Sequence, residues 1–315
     1  MYFSYIILGE KMKNIINYYY GFNVVDVFFS DNKYYFNYDN NSYVFMIYDR
    51  KIEESKPIYK IYKQLKDKNI FTNDIIMNRK KQILTFINNI PYILIKDNTK
   101  NGTVSMNDIF YIHNNTISIS DDKDIIRNDW SFMWKIKIDY YESQIKDFAY
   151  NYSLIGNTIN YYIGLAENAI SYLDYYKKNE THNYVLSHRN FFINNDLFSF
   201  YSPTNYILDS RVRDFAEYIK NQFFLSKMDF NMFMNYLDYM NFNVLEYIEL
   251  ISRLLFPTYY FDILDEIIIG NYKEEEIKKV LIKNNDYISF LKNTFCYILY
   301  NKKISIPLIE WIIKH

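Results

Sequence analysis

Val185-Leu186-Ser187-His188-Arg189-Asn190-Phe191-Phe192-Ile193-Asn194-Asn195, followed by Asp209-Ser210-Arg211-Val212-Arg213-Asp214-Phe215, is the passage that decides how this chain is read. An apolar run leads into a His-x-x turn, and an Asn stands five residues after the third position of that turn. A second short apolar run follows, and then the polar-to-apolar change that opens a helix, with Asp209 placed to serve as its N-cap. Polar side chains on a turn between apolar strands are a common place for a chain to hold chemistry.

Working outward toward the N-terminus, residues 14–96 read as a small mixed lobe. Val24 to Phe29, Lys33 to Tyr38 and Ser42 to Tyr48 form a three-stranded meander around the turns Ser30-Asp31-Asn32 and Asp39-Asn40-Asn41. Pro57 suits the first turn of a helix that runs to about Lys68, with Ile58, Ile61, Tyr62 and Leu65 on one face. Strands are expected near Asp74 to Asn78, Gln82 to Phe86 and Ile90 to Lys96, and Asp97 to Gly102 is the polar linker. Toward the C-terminus helices dominate. Trp134, Ile138, Tyr141, Ile145 and Phe148 recur at helical spacing, as do Ile159, Tyr162, Ile163, Ala166, Ala169 and Leu173. Gly164, Ala166 and Ala169 keep that second helix thin enough for close packing. Val212 to Phe224 reads as a helix, and Tyr272 to Lys279 as a solvated helix start with acids before bases.

Composition narrows the function. The 315 residues carry 36 basic and 37 acidic side chains, a net of −1, which argues against a general binder of nucleic acid or membrane surfaces. Cys296 stands alone, so no internal disulfide framework exists and a reducing, cytoplasmic setting is expected. The load of 36 Tyr and 25 Phe with only 6 Gly is what an A/T-rich genome writes, and Tyr is expected to replace Phe or Leu in the core. No run of about 18 apolar residues is present to span a bilayer. The apolar opening, Met1 to Leu8, lacks a basic leader and a small-residue cleavage site, and Met12 is a second plausible start, so residues 1–13 are expected to be a tail. His113, His182, His188 and His315 have no metal-ligand spacing, and no Gly-x-Ser-x-Gly, Walker or Gly-x-Gly-x-x-Gly motif occurs.

Taken in order, these features resemble the aminoglycoside-phosphotransferase/choline-kinase-like superfamily, and within it the spore-coat (CotS-type) kinase-like proteins of Gram-positive bacteria. The resemblance implies an α+β, bilobal protein-kinase-like fold: a tail at 1–13, an N-lobe of antiparallel strands with one helix at 14–97, and a helical C-lobe at 98–315. It also implies site positions, and most are altered. The family's turn is His-x-Asp, whereas Asn190 stands in the place of the base; Asn195 keeps the metal-ligand place; Ser202 falls where a metal-holding Asp is expected; His188 and Asp209 are retained in structural roles. An amide is no general base, a loss worth a factor of about 10² to 10⁴. The hairpin Phe28 to Lys33 that would cover the phosphates has no glycine. The third strand has no Lys, Arg50 and Lys51 lie beyond its end, and Glu53 and Glu54 precede the helix that should carry their acidic partner. The expectation is a pseudokinase with no catalytic residue, no cofactor and no metal, acting through a protein partner in spore-coat assembly, without nucleic acid and without a membrane span. Two rivals are a divergent phosphotransferase acting on a small hydroxyl compound, and a domain that senses a nucleotide or metabolite without turning it over.

Overall fold

The structure is a computed structural model that describes residues 2–117, 123–127, 129–176, 184–189, 191 and 196–314. By compactness the chain forms two units, Met1–Arg127 with Asn183–Asp209 and Asn128–His182 with Ser210–His315. The expected break near residue 97 lies inside the first of these.

That first unit is built on α1 (Tyr2–Tyr20), β1 (Phe28–Ser30), β2 (Lys33–Tyr38), β3 (Asn41–Ile47), α2 (Ser55–Asp67), β4 (Asp74–Ile76), β5 (Thr85–Ile87), β6 (Ile90–Asp97) and α3 (Met106–Thr116). The strands form one antiparallel sheet in the order β1-β2-β3-β6-β4, with β5 also paired to β6. Both hairpins turn on two residues of positive φ, Asp31 and Asn32 (48° and 58°) and Asp39 and Asn40 (48° and 57°). Asn and Asp tolerate that conformation, so tight turns form here without glycine.

Three expectations need correction. The helix α1 was not anticipated. It carries Met12, Ile16 and Tyr20 onto Tyr34, Phe36, Tyr43, Phe45, Tyr92 and Leu94 of the sheet, and Gly21 (φ 78°) ends it by donating to Asn17 O at 3.0 Å. The first strand starts at Phe28 rather than Val24. Asn17 binds both backbone groups of Val24 (Oδ1 from Val24 N at 2.8 Å, Nδ2 to Val24 O at 3.2 Å), so that residue cannot enter a ladder. The strands at 74–78 and 82–86 are shorter and displaced, because Asn78 Oδ1 accepts from Lys80 N (3.0 Å) and Gln82 N (3.1 Å) and bends the chain between them. The same unit ends with β7 (Val185–His188), α6 (Leu197–Phe200) and β8 (Tyr206–Asp209).

The second unit is helical: α4 (Trp130–Asn151), α5 (Ser153–Tyr176), α7 (Val212–Phe224), α8 (Phe230–Met240), α9 (Val244–Leu255), α10 (Thr258–Ile268), α11 (Lys278–Cys296) and α12 (Glu310–Lys314). Tyrosines fill its core and several of their hydroxyls find partners, Tyr141 on Asp265 (2.6 Å), Tyr260 with Thr158 (2.9 Å) and Tyr287 on Leu254 O (2.7 Å), while that of Tyr259 is buried without one. The close approach on α5 is at Gly156, where a Cβ would lie 2.7 Å from Ala149 Cα; at Gly164 nothing lies within 4 Å. Glu274, expected in a solvated run, accepts from Leu154 N (2.7 Å) and Ile155 N (3.1 Å) and so closes the start of α5. Lys220 is buried and donates to Arg253 O (2.9 Å), Phe256 O (3.3 Å) and Thr258 Oγ1 (2.7 Å), finishing the end of α9. Asp209 is not the cap of α7. It ends β8, Arg211 holds the N-cap position without a side-chain bond, and Ser210 Oγ accepts from Val212 N at 3.1 Å.

Candidate functional site

β7 and β8 pair antiparallel, Val185 opposite Asp209 and His188 opposite Tyr206, and all eight residues are buried. Arg189 N extends the ladder to Asn205 O at 2.7 Å. His188 is wholly buried. Its Nε2 lies 2.9 Å from Phe200 O, and because a carbonyl can only accept, Nε2 carries the proton. Its ring stacks on Phe200 at 3.9 Å and meets Tyr206 edge-on at 5.7 Å. The bond and the stack tie the end of β7 to Phe200 of α6. Asn190 and Asn195 lie outside the described residues.

Ser202, the residue in the place of a metal-holding Asp, is 1% exposed, and its hydroxyl is engaged with Thr204 Oγ1 at 3.1 Å. The chain around it is tied to the sheet. Thr72 Oγ1 donates to Tyr201 O (3.1 Å) and so accepts from the Tyr206 hydroxyl (3.0 Å), whose ionisation burial opposes. Asn73 N donates to Tyr201 O (2.9 Å) and Asn73 Nδ2 to Phe198 O (3.1 Å), while Asn98 N donates to Asn73 Oδ1 (2.8 Å). Leu197 N reaches Gly102 O at 3.2 Å, Thr103 bridges Asp196, and a Cβ on Gly102 would meet the Leu197 side chain at 3.0 Å. Tyr201 Oη donates to Asp108 (2.7 Å), whose other oxygen completes the capping box of α3 with Ser105.

The cations near this segment are few. Because Tyr43 and Phe45 of β3 turn toward α1, Val44 and Met46 face the opposite way, with Tyr35 and Lys33 of β2 as their cross-strand neighbours. The third strand therefore presents no cation on that face. Lys33 Nζ lies 5.5 Å from the centre of the Phe198 ring, and the Tyr35 phenol is held above its ordinary range by burial first and then by the charges of Asp31, Asp196 and Asp97.

Arg50 was passed over in the sequence because it lies past β3. It is buried, it donates through Nε to Glu54 Oε2 (2.6 Å), and through Nη1 to Tyr206 O (2.6 Å) and Thr204 O (3.0 Å). Arg127 holds the other Glu54 oxygen at 3.1 Å. The i, i+4 spacing of Arg50 and Glu54 was the available signal. Arg189 forms an outer two-toothed pair with Asp49 at 3.2 and 3.1 Å. Among the described residues no three His, Cys, Asp or Glu side chains gather in a way that could hold a metal ion.

With this geometry in place, residues 13–294 match the family model described as "Spore coat putative kinase YutH". The chain belongs to that family. The Endospore coat-associated protein YutH of Bacillus subtilis (strain 168) is 28% identical over 173 residues, 48% of this chain and 50% of that protein, so the match spans half the relative's length. Among solved structures, an aminoglycoside phosphotransferase from Alicyclobacillus acidocaldarius superposes with a TM-score of 0.63 at 9% identity, covering 90% of this chain and 96% of that one. The amicoumacin kinase hAmiN gives 0.55 at 12% identity (90% and 92% covered), and the choline kinase LicA from Streptococcus pneumoniae 0.50 at 12% (91% and 99%). At such identities the likeness is one of fold: a kinase-like antiparallel lobe and a larger helical one. Among the described residues of this YutH-family chain no helix is long and apolar enough to cross a membrane.

Proposed function

We propose that this YutH-family chain is a kinase-fold protein that does not transfer phosphate and serves the spore coat as a binding or scaffold component, with residues 14–97 as its N-lobe and 98–315 as its C-lobe. The observation that carries the reading is electrostatic. On the sheet face shared by Lys33 and Tyr35, the carboxylates of Asp31, Asp196 and Asp97 act on the Tyr35 phenol and Lys33 lies against Phe198, while the buried Arg50 is bonded to Glu54 and two carbonyls. Phosphoryl transfer requires cations and a metal to neutralise the polyphosphate, and a surplus of carboxylates opposes its approach. Asn190 supplies no base, and the Ser202 hydroxyl is already bonded within the fold. The coat association of the Bacillus subtilis relative supports the location.

Isothermal titration of the full chain with Mg²⁺-ATP tests this. The expected affinity is weaker than about millimolar, and Asn190→Asp with Ser202→Asp should not create phosphotransfer, because the glycine cradle for the phosphates and the lysine of β3 would still be missing. A micromolar dissociation constant, or turnover with any small hydroxyl acceptor, overturns the proposal in favour of a working phosphotransferase.

A further inference from the structure

Between Arg50 and Lys68 the chain carries seven basic residues and three acidic ones, in a protein whose total is 36 against 37. Some of that charge is internally matched: Arg50 with Glu54, and Lys66 with Asp74 at 2.8 Å. Lys56, Lys60 and Lys63 are not. They are exposed, and among the described residues none has an acid within ion-pair distance. At i, i+4 and i+7 they form one stripe on α2, directly opposite Ile58, Ile61 and Leu65, which are buried. A solvent face normally intersperses Glu among its lysines, and like charges at i, i+4 disfavour the helix. This one concentrates repulsion that a partner would relieve.

We propose that the outer face of α2 is a docking surface for an acidic, carboxylate-rich polypeptide segment. The stripe is about 10 Å long from Lys56 to Lys63, which is three residues of a strand or two turns of a helix. Glu53 and Asp67 stand at its two ends, so a long polyphosphate backbone running past the stripe meets repulsion, whereas a short acidic segment does not. The neighbouring Tyr59 and Tyr62 rings, 5.6 Å apart and half-buried, add apolar edge for such a segment to lie on. The surface would serve an active kinase and a silent one alike, so it does not rest on the reading of the site.

The test uses the full chain and a fluorescein-labelled six-residue Glu-Ala repeat peptide, about the length of the stripe, followed by fluorescence anisotropy at low and high salt. Saturable binding is expected, weakened by salt and reduced about tenfold or more in Lys56→Glu/Lys60→Glu/Lys63→Glu. A triple variant with the same charge change elsewhere, Lys11→Glu/Lys146→Glu/Lys278→Glu, should bind within about twofold of the parent. Lys56→Gln/Lys60→Gln/Lys63→Gln serves if the reversed stripe does not fold. The proposal falls if no saturable binding is seen, if both triple variants lose binding equally, or if a thymidine oligonucleotide or phosphatidylglycerol vesicles bind more tightly than the peptide.

Discussion

Replacing Arg50 is the sharpest test of how the start of β8 is held, through the carbonyls of Thr204 and Tyr206. Its guanidinium is 1% exposed and Glu54 is 8% exposed, so the pair has no solvent to fall back on. Burial lowers the Arg50 pKa and Glu54 opposes that shift, as expected of a cation whose charge depends on its partner. Removing one partner of a buried pair typically costs about 3–5 kcal/mol. Arg50→Ala also strands the carbonyls of Thr204 and Tyr206, each losing a charged donor worth about 1.5–3 kcal/mol. These losses overlap, and Arg127 still neutralises part of Glu54, so the expected total is about 3–4 kcal/mol. Glu54→Ala should cost about 2–3 kcal/mol, since Arg50 keeps its two carbonyls. The double variant should cost little more than Arg50→Ala alone, giving a coupling above about 1.5 kcal/mol. Urea unfolding followed by circular dichroism gives the totals, and amide hydrogen exchange at Val185–His188 and Tyr206–Asp209 gives the local effect, expected to be about two decades faster. Additive single variants, or unchanged protection in both strands, would refute the clamp.

Other consequences are as direct. His188→Ala should lower stability by about 1–3 kcal/mol by leaving Phe200 O without its donor, and His188→Phe, which keeps the stack, should not restore the loss; an unchanged urea midpoint in either variant counts against this tie. Gly156→Ala should destabilise by about 1–3 kcal/mol, since the new Cβ meets backbone at 2.7 Å, whereas Gly164→Ala, with open space, should stabilise by about 0.5–1 kcal/mol; melting curves that rank them the other way contradict the packing of α4 on α5. Burial pushes Tyr20 up to about 12 against an ordinary value of 10.0, so between those pH values the unfolded chain loses a proton that the folded one keeps. The Tyr20 contribution is full below pH 10 and is lost, by about 2–3 kcal/mol, toward pH 12; other buried tyrosines are raised as well, so Tyr20→Phe should make the alkaline fall in a urea-midpoint titration shallower by about that amount.

Much of the architecture could be read from local pattern. The span Lys33–Tyr38 and the helix Val212–Phe224 carry periodicities that their surroundings do not override. What escaped was set by contacts between distant parts of the chain. The period of Met12, Ile16 and Tyr20 was present in the sequence, but without an N-cap signal or the sheet beneath it, Met12 fell in the expected tail at 1–13 and Ile16 and Tyr20 in no expected element. The Asn17 clamp on Val24 and the Glu274 closure of α5 are single side chains meeting backbone, and no periodicity announces them. Within the site, the buried cation and its acid are Arg50, past the end of β3, and Glu54, just before α2, and neither lies inside the element whose pattern is legible.

The same bonds that make this segment stable also bear on its chemistry. A residue ready to engage a ligand keeps a donor or acceptor free, or held only by water, and that readiness costs stability. Here Ser202 is bonded to Thr204, Thr72 to Tyr201 and Tyr206, Asn73 to Phe198 and Asn98, and Arg50 to Glu54 and two carbonyls. To bind a nucleotide, each would have to break an internal bond of about the same strength as the one it formed, leaving little net gain. A carboxylate at 202 would therefore add charge at a position whose hydroxyl and neighbours are already engaged, and the carboxylates of Asp31, Asp196 and Asp97 that act on Tyr35 oppose an anionic ligand on that face. Silence in the ATP titration is expected as much from the groups that are satisfied as from the groups that are missing.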